Sequence, residues 1–259
     1  MGANLTSRKN ALLIVEGESA EPRLLGKPNG NVGLLPFMGI SDYEMHIFRT
    51  TVYELYEEYI RGNYDDIVSY LVTKGLELPP GESSRTAFSA IYLIFDFEPH
   101  YQKYSDDSIR EMCALFDNET ELGKLYINYP MIEACRHLKE LPDNDFMDRT
   151  IEVGQDFNGK SYKRIVNIES CIGHYTKKNI AHILAANYNK AKSLDSTRSL
   201  DVDYQAILEL QIDKKNSENL IYELGTAPLM AIDYNMDLVL EKYSMTLRKQ
   251  GNVMTLEAQ

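Results

Sequence analysis

The sequence has no tryptophan, and its three cysteines, Cys113, Cys135 and Cys171, stand far apart without a CxxC pair. Such spacing speaks against a zinc site and against a disulfide framework. Reduced thiols in a cytoplasmic protein are the expectation. No apolar run approaches the roughly 18 residues of a membrane span. The first, Ala11–Val15, ends at Glu16 and is too short for a signal-peptide core as well. Positive charge is scarce too: 27 Lys and Arg against 39 Asp and Glu leave a net charge of −12. A protein that coats nucleic acid by neutralising phosphates should be basic, so that role is disfavoured. A nuclease is not, because bound metal and a local basic patch can outweigh distant acidic surface. The Gly-rich stretch with Gly26, Lys27, Gly30 and Gly33 lacks GK[ST] and does not tightly follow a strand, so it reads as a flexible loop rather than a phosphate loop. Ser19 and Ser170 lack the His and Asp partners of a serine hydrolase.

Four short apolar segments have the length and flanks of buried parallel strands: Ala11–Val15, His46–Arg49, Ile91–Phe97 and Lys124–Tyr129. Helical spacing lies between them. Val52, Leu55, Tyr56 and Tyr59 repeat at i, i+3, i+4, i+7, as do Ile109, Met112, Cys113 and Phe116. Ser105 before Asp106 and Asp107 is a helix start with acids where the dipole favours them. Met131–Leu138 reads as a helix following the fourth strand. Strand–helix alternation predicts an α/β fold with a parallel sheet flanked by helices. Leu141 to Gly159 reads as a polar connection, and alternation weakens beyond it. Asn179–Ala191 and Tyr204–Lys214 read as amphipathic helices; Leu220–Leu224 and Leu229–Tyr234 suit either short strands or helix. A boundary near residue 145 is expected, separating residues 1–145 from a mostly helical part, residues 146–259.

In an open parallel sheet, chemistry sits beyond the carboxyl ends of the strands, and there this sequence gathers acids. Glu16, Glu18 and Glu21 follow the first strand, Asp96 and Glu98 close the third, and Glu133 follows the fourth. Acids at i and i+2 of a strand share a face, so Asp96 and Glu98 are expected to grip one ion together. Hard Mg²⁺ or Mn²⁺ takes such oxygen ligands and leaves positions for water and phosphate. Carboxylates after strands also cap helices, and Glu18 reads as a solvated or capping residue. Glu16 follows the apolar run directly and precedes Gly17, expected to permit a tight turn. His100 and His137 lie near acidic motifs, as candidates to support the ligating carboxylates. The basic runs Lys160–Arg164 and Lys177–Lys178, and Tyr126 and Tyr129, suit phosphate contact and base stacking; surface and core use are their ordinary roles.

These segments resemble the RloB-like Toprim proteins, relatives of the nuclease domains of the OLD family and of effectors in phage-defence systems such as PARIS. The family's EGExTEP motif is similar to Glu16-Gly17-Glu18-Ser19-Ala20-Glu21-Pro22. Its FDxD segment is similar to Phe95-Asp96-Phe97-Glu98. Its NPxFE motif, with a following His, resembles the order Asn128, Pro130, Glu133, His137, with an extra residue between Asn and Pro. The resemblance covers roughly the first 140 residues. It implies a Toprim-like sheet and a metal-dependent nuclease acting on DNA or RNA, tRNA included, in phage defence beside an ATPase partner. Glu16 would be a catalytic general acid/base or ligand of a second ion. Asp96 and Glu98 would hold the principal Mg²⁺ (or Mn²⁺), Glu133 would complete the cluster and Glu21 assist. Glu98 in place of Asp and Ala20 in place of Thr depart from the family pattern. The expected partners are thus a nucleic-acid substrate, an ATPase protein and a second copy in a homodimer, without a membrane. The competing expectations are a catalytically inactive Toprim-like interaction or regulatory subunit, and Mg²⁺-dependent phosphoryl transfer on a small substrate.

Overall fold

The computed structural model of the chain describes residues 10–26, 32–38, 40, 43–84, 86–154, 157–248 and 253–256. Lys27 and Gly30 of the glycine-rich stretch lie outside the described residues. The first half runs β1 (Asn10–Val15), α1 (Ala20–Leu25), α2 (Leu34–Met38), β2 (Tyr43–Ile47) and α3 (Val52–Leu55), which continues as a π-helical turn, Tyr56–Ile60. Then come α4 (Ile67–Thr73), β3 (Phe88–Asp96), α5 (Asp106–Leu115), β4 (Asp117–Asn118) and β5 (Gly123–Asn128). A 3₁₀ turn, Ile132–Arg136, and another, Asp145–Asp148, lead to β6 (Thr150–Glu152) and α6 (Gly159–Glu169). The rest is α7 (Lys177–Asp195), α8 (Tyr204–Glu218), β7 (Leu220–Tyr222), α9 (Leu229–Tyr243) and the hairpin β8 (Met245–Arg248) and β9 (Val253–Leu256). Among the described residues no helix is long and apolar enough to cross a membrane.

The fold is α/β. A five-stranded sheet has the order β2-β1-β3-β5-β4, parallel except at β4, with helices around it and a helical C-terminal part. Leu12 to Val15 and Leu93 to Phe95 are completely buried. Strands covered on both faces read as unbroken apolar runs, which is why β1 and β3 are visible in the sequence. The edge strand β2 begins at Tyr43, earlier than the expected His46, because its half-buried residues alternate with polar ones. Helix α5 starts as its sequence predicts: Ser105 Oγ accepts from Ser108 N at 3.0 Å, and Ile109 and Met112 are buried.

Met131–Leu138 departs from expectation. It forms a short 3₁₀ turn, in which Ala134 N donates to Met131 O and His137 N to Ala134 O. The Ile132 N–H, at the start of the turn, is taken by an Asp96 carboxylate oxygen at 2.8 Å. Residues 220–227 return over this turn. Tyr129 and Leu224 exchange backbone hydrogen bonds at 2.8 and 2.9 Å, and Thr226 Oγ1 donates to Ile127 O at 2.8 Å. Gly225 sits so close to Cys135 that a Cβ would stand 2.3 Å from its sulfur. Asn187 of α7 closes the junction, donating to Cys135 O at 3.0 Å and accepting from Gly225 N at 2.8 Å. One continuous apolar core therefore includes residues of β1, β3, β5, α7, α8 and α9.

Asn187→Ala leaves the buried Cys135 carbonyl and Gly225 N–H without partners. A loss of about 2–4 kcal/mol is expected by urea unfolding; a change under about 0.5 kcal/mol would mean that this junction does not hold the fold.

A candidate acidic site at the strand ends

Strand register brings the acids together. Val15 pairs with Ile94 across β1 and β3, and Asp96 pairs with Asn128 across β3 and β5, so the carboxyl ends of the three strands lie side by side. Glu16 N continues the ladder to Ile94 O at 3.2 Å, and its side-chain Oε2 accepts from Asp96 N at 3.1 Å. Asp96 is buried, its Oδ1 engaged by Ile132 N. Glu21, buried on α1, accepts from Gly17 N at 3.1 Å. Here the role of Gly17 is steric: a Cβ would lie 2.9 Å from the Glu21 carboxylate.

The chain departs from the expected alternation at Glu98. Strand β3 ends at Asp96, the Phe97 N–H points to Asn128 O and Pro130 O, and Glu98 takes φ +35°. A side chain held in that sparsely populated region carries backbone strain. Asp96 and Glu98 are thus not two residues on one strand face, although their charges still act on each other.

Glu133, on the 3₁₀ turn, meets Lys163 of α6 at 3.4 Å through Oε1, while its buried Oε2 has no hydrogen-bond partner. Helix α6 delivers the lysine because Tyr162 and Val166 are buried against Met131. Along the sequence Lys163 stands only as one member of a basic run. Its place among the acids depends on the docking of α6, which leaves no local signal.

The electrostatics follow from burial. Burial pushes the Glu16 carboxyl from its ordinary 4.5 up to about 8, with the Glu98 charge adding to it and the Asp96 N–H opposing it. Asp96 is driven well above the usual range by burial and then by Glu16, Glu21, Glu133 and Glu98. Glu21 and Glu98 are also raised, chiefly by burial. For Lys163, partial burial opposes the charge, yet Glu133, Asp96 and Glu21 overcome it and hold the amine protonated above its usual range. The five acids therefore form one interacting group, with Lys163 as a shared counter-charge. Among the described residues, however, no three Asp, Glu, His or Cys side chains are placed to hold one metal ion. The donors suit a hard cation in chemistry, all being carboxylate oxygens, and Glu133 Oε2 is a buried acceptor that lacks a donor. Glu16, Asp96 and Glu133 are meanwhile engaged by N–H groups and by Lys163.

The remaining candidates fall outside this group. Glu18 is exposed and paired with Arg49 at 2.5 Å. His137 is buried between Glu223, at 2.5 Å, and Glu169, at 3.2 Å; Tyr162 also hydrogen-bonds Glu223. His100 stacks on Phe157 with ring centres 4.9 Å apart. Tyr126 and Tyr129 are buried in the core. No family model, curated protein or solved structure matches the chain.

The Glu16 carboxyl makes stability depend on pH. Below about pH 4.5 it is protonated folded and unfolded. Between there and about 8 only the unfolded chain ionises, so folding stability falls as pH rises. Glu16→Gln keeps an acceptor for the Asp96 N–H and removes the charge. Urea unfolding should show the variant gaining on the wild type by a few kcal/mol between about pH 5 and pH 8.5; parallel curves would refute the raised pKa.

Proposed function

We propose that the chain is a divalent-metal-dependent nuclease whose reaction centre is the acidic group at the strand ends. What carries the reading is one observation: Glu21, Asp96 and Glu133 are buried beside the half-buried Glu16, and burial together with the neighbouring carboxylates raises the pKa of Glu16, Glu21 and Asp96. Such mutual destabilisation has no benefit for folding, and it marks sites kept for chemistry. Asp96, Glu98 and Glu133 would hold Mg²⁺ or Mn²⁺, with Glu21 beside them. A bound ion supplies neutralisation of phosphoryl charge and a water of lowered pKa. Glu16, poised near neutrality, suits proton transfer at the attacked or leaving oxygen. Lys163 balances the acids at rest. The RloB-like resemblance adds to this reading an effector role in phage defence beside an ATPase partner, with DNA or RNA, including tRNA, as substrate.

A second reading is a catalytically inactive Toprim-like interaction or regulatory subunit. It is favoured by the engaged state of Glu16, Asp96 and Glu133 and by the absence, among the described residues, of a ready three-donor group. Cleavage of tRNA, single-stranded DNA and duplex DNA under Mg²⁺ or Mn²⁺ titration separates the two. The nuclease reading expects wild-type cleavage and a loss of about 10²-fold or more in Glu16→Gln and Asp96→Asn. Wild type and variants alike on all three substrates would remove it.

A further inference from the structure

Next to the acidic group lies a cleft of about 1620 Å³, lined by α1, β2, the 3₁₀ turn, α6 and the loop into α7. Its charge is at odds with the protein's −12. Arg23 of α1, Arg136 of the 3₁₀ turn and Lys163 of α6 line it, and Glu133 marks where it meets the acidic group. Thr176, also in the lining, caps α7; that helix opens with Lys177 and Lys178 and has no acid in its first turn. Its dipole therefore adds positive potential at the same end.

Three acids share these walls. Glu18 is bound to Arg49, outside the lining, and Glu133 takes up Lys163, leaving Glu44 against the charges of Arg23 and Arg136. Among the described residues the Arg23 guanidinium has no ion pair or hydrogen bond. That of Arg136 bonds to the neutral amide of Asn167. Two planar, permanently charged forks therefore face one cleft without carboxylate partners, the donor geometry that suits phosphate.

We propose that this cleft seats an extended single-stranded phosphodiester segment, with Arg23 and Arg136 on its phosphates and Lys163 at the end nearest Glu133. Cations from three separate elements gather in one cleft, which suits a single backbone. A duplex carries its two backbones on the outside of a stacked rod and calls for a broad basic face instead. The proposal rests on the nuclease reading only for the role of Glu133 as the inner end; strand binding itself requires no cleavage.

The test is fluorescence anisotropy of the full chain with a labelled oligothymidylate of about 20 nucleotides, against a duplex of equal length, in EDTA. Single strand should bind more tightly than duplex. Arg23→Glu and Arg136→Glu should each weaken it about 10-fold or more, and each should reduce the salt slope by roughly 0.7, because one phosphate fewer is neutralised. Arg61→Glu, a like charge change on the exposed end of the π-helical turn, should leave affinity nearly unchanged. The milder Arg23→Ala and Arg136→Ala should follow in the same direction with unaltered far-UV circular dichroism. The proposal is overturned by no strand binding in wild type, by equal losses in all three charge reversals, or by no loss in the cleft variants. Tighter duplex binding, or polyglutamate competing as well as oligothymidylate, overturns it too, the last pointing to an acidic peptide. Strand binding without metal-dependent cleavage would defeat the nuclease reading alone; cleavage that survives both cleft variants would defeat the cleft alone.

Discussion

Buried carboxylates short of counter-charge are the constraint around which this protein is arranged. Ionising several acids in a low-dielectric pocket is costly, because each loses water and repels the others. The chain offsets that cost in three ways. The carboxyl pKa values of Glu16 and Asp96 are raised, backbone N–H groups of Asp96, Ile132 and Gly17 point at carboxylate oxygens, and Lys163 supplies a positive charge.

Each of these devices depends on a different part of the fold. The N–H of Asp96 reaches Glu16 because β1 and β3 are parallel and in register at their ends. The N–H of Ile132 reaches Asp96 because β5 is followed by a tight turn. That turn is held from behind by residues 220–227 and by Asn187, which come from the far end of the chain. Lys163 arrives on α6, fixed by Tyr162 and Val166. The C-terminal helices thus do more than cover the sheet. Through Asn187 and residues 220–227 the C-terminal part clamps the turn that carries Glu133, while α6 and the loop into α7 line the cleft that meets it.

The candidate site was legible in part. Glu16 stands out because it follows an unbroken apolar run directly, and Asp96 and Glu133 join it because in a parallel sheet such runs end on the same side. The pairing of Asp96 with Glu98 on one face does not hold, since alternation lasts only while the strand continues, and β3 stops at Asp96, two residues before Glu98. The 3₁₀ turn at Ile132–Arg136 reads as helix in sequence because its apolar spacing also fits one; a carboxylate from another strand decides otherwise. Short strands such as β4, β6 and β7 carry too few residues for a period to show.

The sequence by itself determined the α/β class, the buried central strands and the acids at their ends, because these rest on local patterns of polarity set by burial on two faces. Tertiary structure alone decided which charges meet. The capture of Lys163 by the acidic group, the meeting of Arg23 and Arg136 in one cleft, and the clamp of Asn187 on Cys135 and Gly225 join residues dozens of positions apart. Contacts of that kind depend on how helices dock, and docking is fixed by the shape of the whole core rather than by any stretch of chain.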